Sequence, residues 1–388
     1  MNAFLKSHPW IAFTFSLKDA SPQLWMLLGE AASKCEHIAG VPLKPSTQEE
    51  LHQLYLAKGV LATTAIEGNT LSEEQVLQLL EGNLKLPPSQ QYLKQEIANI
   101  VEACNHIFHE EPILSAARIR EFNRLVLQNL KLEKDVIPGE YRGHSVLVGN
   151  VYRGAPPEDC IYLVDRLCEW LNGPDFRESS ELKIVYAIIK AVVAHLYLAW
   201  IHPFGDGNGR TARLIEFQIL VSAGVPSPAA HLLSNHYNLT RSEYYRQLHQ
   251  ASKSGGNILP FVQYAVSGLT EGLREQINRI REQQWSVAWE NYVHDMFRNK
   301  SSKIQKRRRD LLLALSARGQ ATPMQEIIKL SPQLAVSYAS GSRFTLRNDL
   351  LALQKMGLID FNSSEARPRK ELILAFLPWR REDGAPES

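Results

Sequence analysis

Between residues 202 and 213 the chain reads His202-Pro203-Phe204-Gly205-Asp206-Gly207-Asn208-Gly209-Arg210-Thr211-Ala212-Arg213, and these residue types meet the demands of phosphate chemistry one by one. Gly207 and Gly209 lack Cβ atoms, so backbone amides can approach an anion closely. A helix starting at this point directs its unpaired N–H groups and the positive end of its dipole at the same anion. Asp206 is a hard oxygen donor suited to Mg²⁺ bridging α- and β-phosphate oxygens. Arg210 and Arg213, three positions apart, share a helical face and offer forked donors to the outer phosphates. His202 is the nearby group with a near-neutral pKa, the property wanted in a base that takes a proton from an attacking hydroxyl. Phe204 suits an apolar anchor for the loop. Each residue alone has a plain structural use, as a turn former or a core histidine; crowded into one loop-to-helix junction they point to phosphate binding.

The elements that must position this run are helical. Before it, Leu182, Val185, Ile188, Ile189, Val192, Leu196 and Ala199 recur at helical spacing, and after it so do Leu214, Phe217, Leu220 and Val221. Further upstream, residues 49–130 read as helices. Glu50, Leu51, Leu54, Tyr55, Val60 and Leu61 open the first, which Gly68-Asn69 should stop. Ser72 to Gln75 has capping-box spacing for the next. Others are expected around 91–109 and 115–130. Residues 138–157 change character: Val146-Leu147-Val148, the turn pair Gly149-Asn150 and Val151-Tyr152 predict a small β-hairpin. Residues 271–300 suit a connecting helix. From Ser302 onward, helices at 304–317, 323–330 and 343–356, then strands at 358–361 and 372–376, follow the order of a winged helix-turn-helix. Arg380 to Ser388 reads as an unstructured tail.

The run His202 to Arg213 resembles the complete HxFx(D/E)GNGRxxR signature of the Fic family. The resemblance extends over approximately residues 45–270, and a C-terminal winged helix accompanies some members. It implies a mainly α Fic-fold core with a β-hairpin flap. It implies His202 as base, Asp206 as the Mg²⁺ ligand, Gly207-Asn208-Gly209 as the anion hole, and Arg210 and Arg213 as triphosphate clamps. In the usual family reaction a Ser, Thr or Tyr hydroxyl of a protein attacks the α-phosphate of ATP and pyrophosphate leaves. Val148 and Gly149 of the hairpin resemble the flap that holds the target segment by strand addition. Tyr244-Tyr245 resembles the pair beside the adenine, with one of the two in contact and the other in the core. Thr63-Thr64-Ala65-Ile66-Glu67-Gly68 resembles the family's (S/T)xxxE(G/N) inhibitory motif. Glu67, expected in the last turn of its helix where the dipole disfavours an anion, would then pair with Arg213 and keep it from the γ-phosphate.

On this reading residues 1–95 form an N-terminal helical segment with the inhibitory helix, 96–270 the catalytic core, 271–300 the connecting helix, 301–378 the winged helix, and 379–388 the tail. The leading expectation is an autoinhibited protein adenylyltransferase with ATP as co-substrate and Mg²⁺ as cofactor. Its partner is a protein substrate, the chain itself included, and a homodimer is left open. Transfer of another nucleotide or phosphorylated donor is the nearest alternative, since family members with similar motifs differ in what they move. A nucleotide-sensing DNA-binding regulator is the alternative from another class. Arg343, Arg347, Lys355, Arg367, Arg369 and Lys370 would meet phosphates, but the basic excess of the last segment is modest, and DNA binding is not favoured. Ordinary composition, 44% hydrophobic and 22% charged with net charge +2 over 388 residues, suits a multi-domain globular protein. No apolar run approaching a membrane span is seen, nor a signal peptide, so no membrane is expected. Cys35, Cys104, Cys160 and Cys168 form no CxxC pair, which suits reduced thiols in a cytoplasmic protein.

Overall fold

Nineteen residues from Lys183 to Ile201 are almost continuously apolar, and they form the central helix of the protein. The structure is a computed structural model of the chain and describes residues 3–108, 113–148, 152–176, 180–339 and 343–374. In chain order the first helices are α1 (Phe4–Ser7), α2 (Pro22–Gly40), α3 (Pro45–Ala65), α4 (Glu73–Leu80), α5 (Gln91–Ile107) and α6 (Ala116–Leu127). After the strands β1 (Leu147–Val148) and β2 (Tyr152–Arg153) come α7 (Cys160–Leu171), α8 (Lys183–Ile201), α9 (Asn208–Ser222), α10 (Ser227–Ala230), α11 (Leu232–Leu239) and α12 (Arg241–Lys253). The long α13 runs from Leu259 to Phe297.

Two compact units divide the chain, Met1–Arg279 and Ile280–Ser388. In the first, α8 and α9 form the central pair; α2 and α7 pack on α8, α5 and α6 on α9, and α3 on α10 and α11. The core is one cluster reaching from Phe4 to Leu273. The boundary expected at 95/96 therefore falls inside a single core, because α3 and α5 both pack against α9. By length and composition α8 could cross a membrane (mean hydropathy 1.9), contrary to the expectation that no such run exists. It is all but enclosed by its neighbours, with 14 of its residues buried, which explains why its apolar positions do not alternate with polar ones. The helix α2, unassigned from sequence, is capped by the Ser21 hydroxyl accepting from the Leu24 amide. Ser72 and Gln75 make the expected capping box at the start of α4.

The hairpin is present, with Leu147 opposite Arg153 and Val148 opposite Tyr152. Gly149 itself lies outside the described residues, as does the tail from 375 onward.

The second unit contains the end of α13, then α14 (Lys303–Arg318), β3 (Thr322–Pro323), α15 (Met324–Ile327), α16 (Pro332–Ala339), α17 (Arg343–Lys355), β4 (Ile359–Phe361) and β5 (Glu365–Pro368). The strands form an antiparallel sheet in the order β3-β5-β4. The last strand was expected at 372–376, but it is Glu365–Pro368 that pairs with both neighbours, and Lys370–Ile373 is a 3₁₀ turn. Pairing with β3 and β4 overrides the higher β-propensity of the later residues. Residues 271–300 do not form a separate connector: Trp289, Val293 and Phe297 lie in the core of the second unit.

Candidate active site

The end of α8 and the start of α9 create the site. His202 caps α8 with left-handed backbone angles (φ 50°, ψ 59°) and donates its amide to the Leu198 carbonyl. Gly207 caps α9 at φ 77°, where a Cβ would lie 2.9 Å from the Asn123 side-chain nitrogen. Between them the Asn208 amide closes the loop on itself. Its Oδ1 accepts from the Phe204 amide at 3.0 Å and its Nδ2 donates to the Phe204 carbonyl at 2.8 Å. The Asn208 side chain is thus committed to loop shape, and only its backbone remains for an anion. Phe204 is fully buried against Tyr141, as an anchor should be.

His202 is partly buried. Loss of solvent, then the nearby Arg142 charge, pull its pKa down to about 4 against the opposing influence of the Ala199 carbonyl, Glu67 and Asp206. At neutral pH the ring is uncharged. A neutral imidazole keeps one ring nitrogen as an acceptor. Asp206 is half exposed; its Oδ1 accepts from the Gly207 amide and, at 3.1 Å, from Arg210.

Both arginines are buried. Arg210 reaches Asp206 and, at 3.4 Å, Glu96 on α5. Arg213, 1% exposed, donates one Nη to the Thr63 carbonyl at 2.8 Å and to Glu67 Oε1 at 2.6 Å. Its Nε and other Nη, and the Nε of Arg210, are buried without a partner. Such orphaned donors are costly unless an acceptor arrives, and the unpaired Nη1 of Arg213 lies 3.1 Å from where a Cβ at Gly209 would stand, in the first turn of α9.

Glu67 occupies that place. It lies just past the end of α3 at Ala65, with its amide on the Thr64 carbonyl, not in the last helical turn as expected. A Cβ added at Gly209 would stand 2.2 Å from Glu67 Oε1, so the carboxylate rests directly on the glycine backbone at the helix N-terminus. Burial works against its charge, but the attraction and hydrogen bond of Arg213 outweigh this and hold its pKa below the ordinary carboxylate value. Asn69 pins the turn: its Nδ2 donates to the Leu93 carbonyl at 3.0 Å and to Glu96 Oε2 at 2.8 Å.

The tyrosine pair divides between core and surface. Tyr244 is buried and bonded at 2.8 Å to His195, inside a cluster with Tyr237 and Glu216. It belongs to the core. Tyr245 is 43% exposed, with Arg241 over its ring.

Three residues were missed by sequence reasoning. Asn123 on α6 donates to the Asp206 carbonyl and accepts from the Gly139 amide. Arg142 donates to the His202 carbonyl. Glu96 joins Asn69 to Arg210. None stands near the loop in sequence. The run 138–142 carried turn residues, but nothing that marked Arg142 as a buried donor.

Residues 113–220, which hold β1, β2, α6 to α8 and all but the end of α9, match the Fic/DOC family. The chain carries a Fic/DOC domain. Outside comparison agrees on the fold: a Fic family protein from Desulfovibrio desulfuricans G20 superposes with a TM-score of 0.57 at 20% identity, over 92% of this chain and 98% of that one. Fic-1 from Caenorhabditis elegans superposes at 0.54 and 27% identity, over 67% and 73%. In sequence, the C. elegans protein adenylyltransferase fic-1 is 32% identical over 227 residues, 57% of this chain and 41% of the relative. A protein adenylyltransferase Fic from Nematostella vectensis is 28% identical over 230 residues, 58% and 48%. The chain therefore spans less than half the length of these relatives. The Fic/DOC domain supplies His202, Asp206, Arg210 and Arg213; Glu67 and Glu96 come from helices that precede it.

Proposed function

We propose that this chain is an autoinhibited protein adenylyltransferase. Support comes chiefly from the buried, partnerless donors of Arg210 and Arg213 around the first turn of α9, where a carboxylate already sits as an anion would. A triphosphate is the ligand that could satisfy them all. In the proposed reaction a target Ser, Thr or Tyr oxygen attacks the α-phosphorus of ATP and a new P–O ester forms. The bond to the β-phosphate oxygen breaks, and pyrophosphate carries that electron pair away. The hydroxyl proton passes to the neutral His202 ring, which its depressed pKa keeps in the accepting form. The catalytic contribution is positioning and charge stabilisation.

Asp206 fits a Mg²⁺ bound mainly by phosphate. Its carboxylate is half exposed with one oxygen engaged, and among the described residues no cluster of His, Cys, Asp and Glu forms a protein-only cage. When bound there, Mg²⁺ would neutralise charge on the phosphates. Val148 on β1 would face the target segment, which would add to the hairpin as a strand. Tyr245 is left to meet base or ribose.

Glu67 would be the brake. While Arg213 is paired with it, the γ-phosphate lacks its clamp and the α-phosphate is not presented to an acceptor. The four cysteines are buried and unpaired, which supports a reducing compartment, and we place the protein in the cytoplasm. We also take the second unit as a winged helix that docks protein in preference to DNA. Much of its basic excess is committed internally: Arg307 and Arg308 both bind the buried Asp349 at 2.7 Å, and Arg318 binds Glu326.

Incubation with α-labelled ATP and Mg²⁺ tests the reading. Label should enter protein weakly with the native chain, strongly with Glu67→Gly, and not at all with His202→Ala added. Absence of label in the Glu67→Gly form would overturn it, unless another labelled nucleotide replaces ATP, which would favour the alternative donor.

A further inference from the structure

Arg142 is buried, yet no carboxylate lies within ion-pair distance of it among the described residues. Its guanidinium instead gathers carbonyls. Nε donates to His202 at 2.7 Å, Nη1 to His144 at 2.6 Å, and Nη2 to Ala155 at 2.5 Å with a longer bond to Ile201 at 3.4 Å. These oxygens belong to three segments: the turn out of α8, the stretch before β1 and the stretch after β2. Backbone bonds run in parallel, from the Arg142 amide to Pro203 and from the Ala155 amide to Ile201. The fit is close: a Cβ at Gly154 would lie 2.9 Å from Arg142 Nη2 and 3.0 Å from the His202 Cβ.

A buried guanidinium without a counter-ion is expensive to keep, and left-handed angles at His202 cost a non-glycine residue about 1 kcal/mol. One side chain offsets both, because the carbonyls converging on Arg142 include those that the reversal of the chain at His202 turns inward. We propose that Arg142 is a positioning residue, which locks the His202 turn and both feet of the β1–β2 hairpin into one rigid piece so that base and target strand keep a fixed separation. This inference rests on the transferase reading for its consequence, but not for its geometry. The positive charge also faces the His202 ring, together with the anionic Glu67 and Asp206, and it favours the uncharged imidazole. Lysine could supply charge but not the planar fork that reaches three segments; glutamine supplies neither.

The test uses the full chain in the Glu67→Gly background, with Arg142→Lys and Arg142→Gln. Initial rates of labelling give kcat and the KM for ATP. NMR of the histidine rings without nucleotide, with the His202 signal identified by its loss in His202→Ala, gives the His202 pKa independently of activity. For Arg142→Gln we expect kcat down about a hundredfold, as for reacting groups misplaced by about an ångström. Its KM for ATP should stay within about twofold, since Arg142 touches no clamp residue, and its His202 pKa should rise toward 6.5. Arg142→Lys should lose about tenfold in kcat through the missing fork and leave the His202 pKa where it is. If Arg142→Gln fails to fold, Arg142→Lys decides on the same two readouts. A folded variant with unchanged kcat, or a loss carried wholly by KM, would overturn the proposal. Failure of the Glu67→Gly parent to label protein would instead count against the transferase reading, and the NMR series would then decide alone: a His202 signal that ignores the glutamine substitution refutes Arg142's role.

Discussion

Replacing Glu67 with glutamine would keep the shape of the contact with Arg213 and remove its charge. The oxygen at 2.6 Å from Arg213 would still accept a hydrogen bond, but as a neutral amide. Hydrogen bonds to charged groups contribute about 1.5–3 kcal/mol net, against roughly 1 kcal/mol for neutral ones. Glu67 is 34% exposed, so solvent screens part of the attraction and the low end applies, even though Arg213 is only 1% exposed. A loss near 0.5–1 kcal/mol in the closed form, the charged bond less the neutral one that replaces it, corresponds to about a two- to fivefold rise in the fraction able to hold ATP productively, since about 1.4 kcal/mol is a factor of ten. Glu67→Gly should do more, because it also clears the space above Gly209. The assay is the initial rate of labelling from α-labelled ATP, paired with calorimetric titration of a non-hydrolysable ATP analogue. Both rate and apparent affinity should rise in the order native, Gln, Gly. A Gln variant indistinguishable from native in both, beside an active Gly variant, would show that the obstruction is steric and that charge pairing with Arg213 is not what holds the site shut.

The His202 pKa of about 4 fixes the acid limb of activity: in Glu67→Gly the rate should hold nearly constant from pH 8 to about 5.5 where an ordinary histidine would already be protonated, and a midpoint near 6.5 would refute the depressed value. His231, fully buried and driven down to about 3 by burial first and His52 second, shares this sign with His202. Both bind protons more readily in the unfolded chain, so the stability they allow is full above pH 6.5 and is lost as pH falls below it; denaturant midpoints at pH 7.5 and 5.5 should separate, and His231→Gln should reduce the gap. Gly59 in α3 faces the same ring, 2.3 Å from where its Cβ would stand, so Gly59→Ala should cost roughly 1–3 kcal/mol by overpacking, read as a lowered urea midpoint.

The phosphate loop was legible because its chemistry is contiguous: the glycines, Asp206 and both arginines are set within one turn and the helix it starts. Glu67 was legible through its own short motif, though its position just past the helix depends on where α3 stops and shifted by a residue or two, as helix ends do. The site residues that escaped, Asn123, Arg142 and Glu96, act across long stretches of chain through hydrogen bonds to backbone or to one another, and polar residues in helices and turns carry no local mark of that use. Asn208 entered the anion-hole loop through the family resemblance; that its side chain shapes the loop shows only in its two bonds to Phe204. For Tyr244 and Tyr245, adjacency on a helix guaranteed that they would point different ways, but not which would face the core. The displaced strand at 365–368 is a tertiary effect, since pairing partners on two sides count for more than propensity.

The carboxylate resting on Gly209 also behaves as a ligand that cannot be diluted. Tethered through the turn after α3, it competes with nucleotide at an effective concentration set by the docking of that helix and not by how much protein is present. The contacts that hold the helix in place, Gly59 against His231 and Asn69 against Glu96, then become the dial. Whatever loosens them, at a distance from every residue that would touch ATP, raises the nucleotide's share of the same arginine.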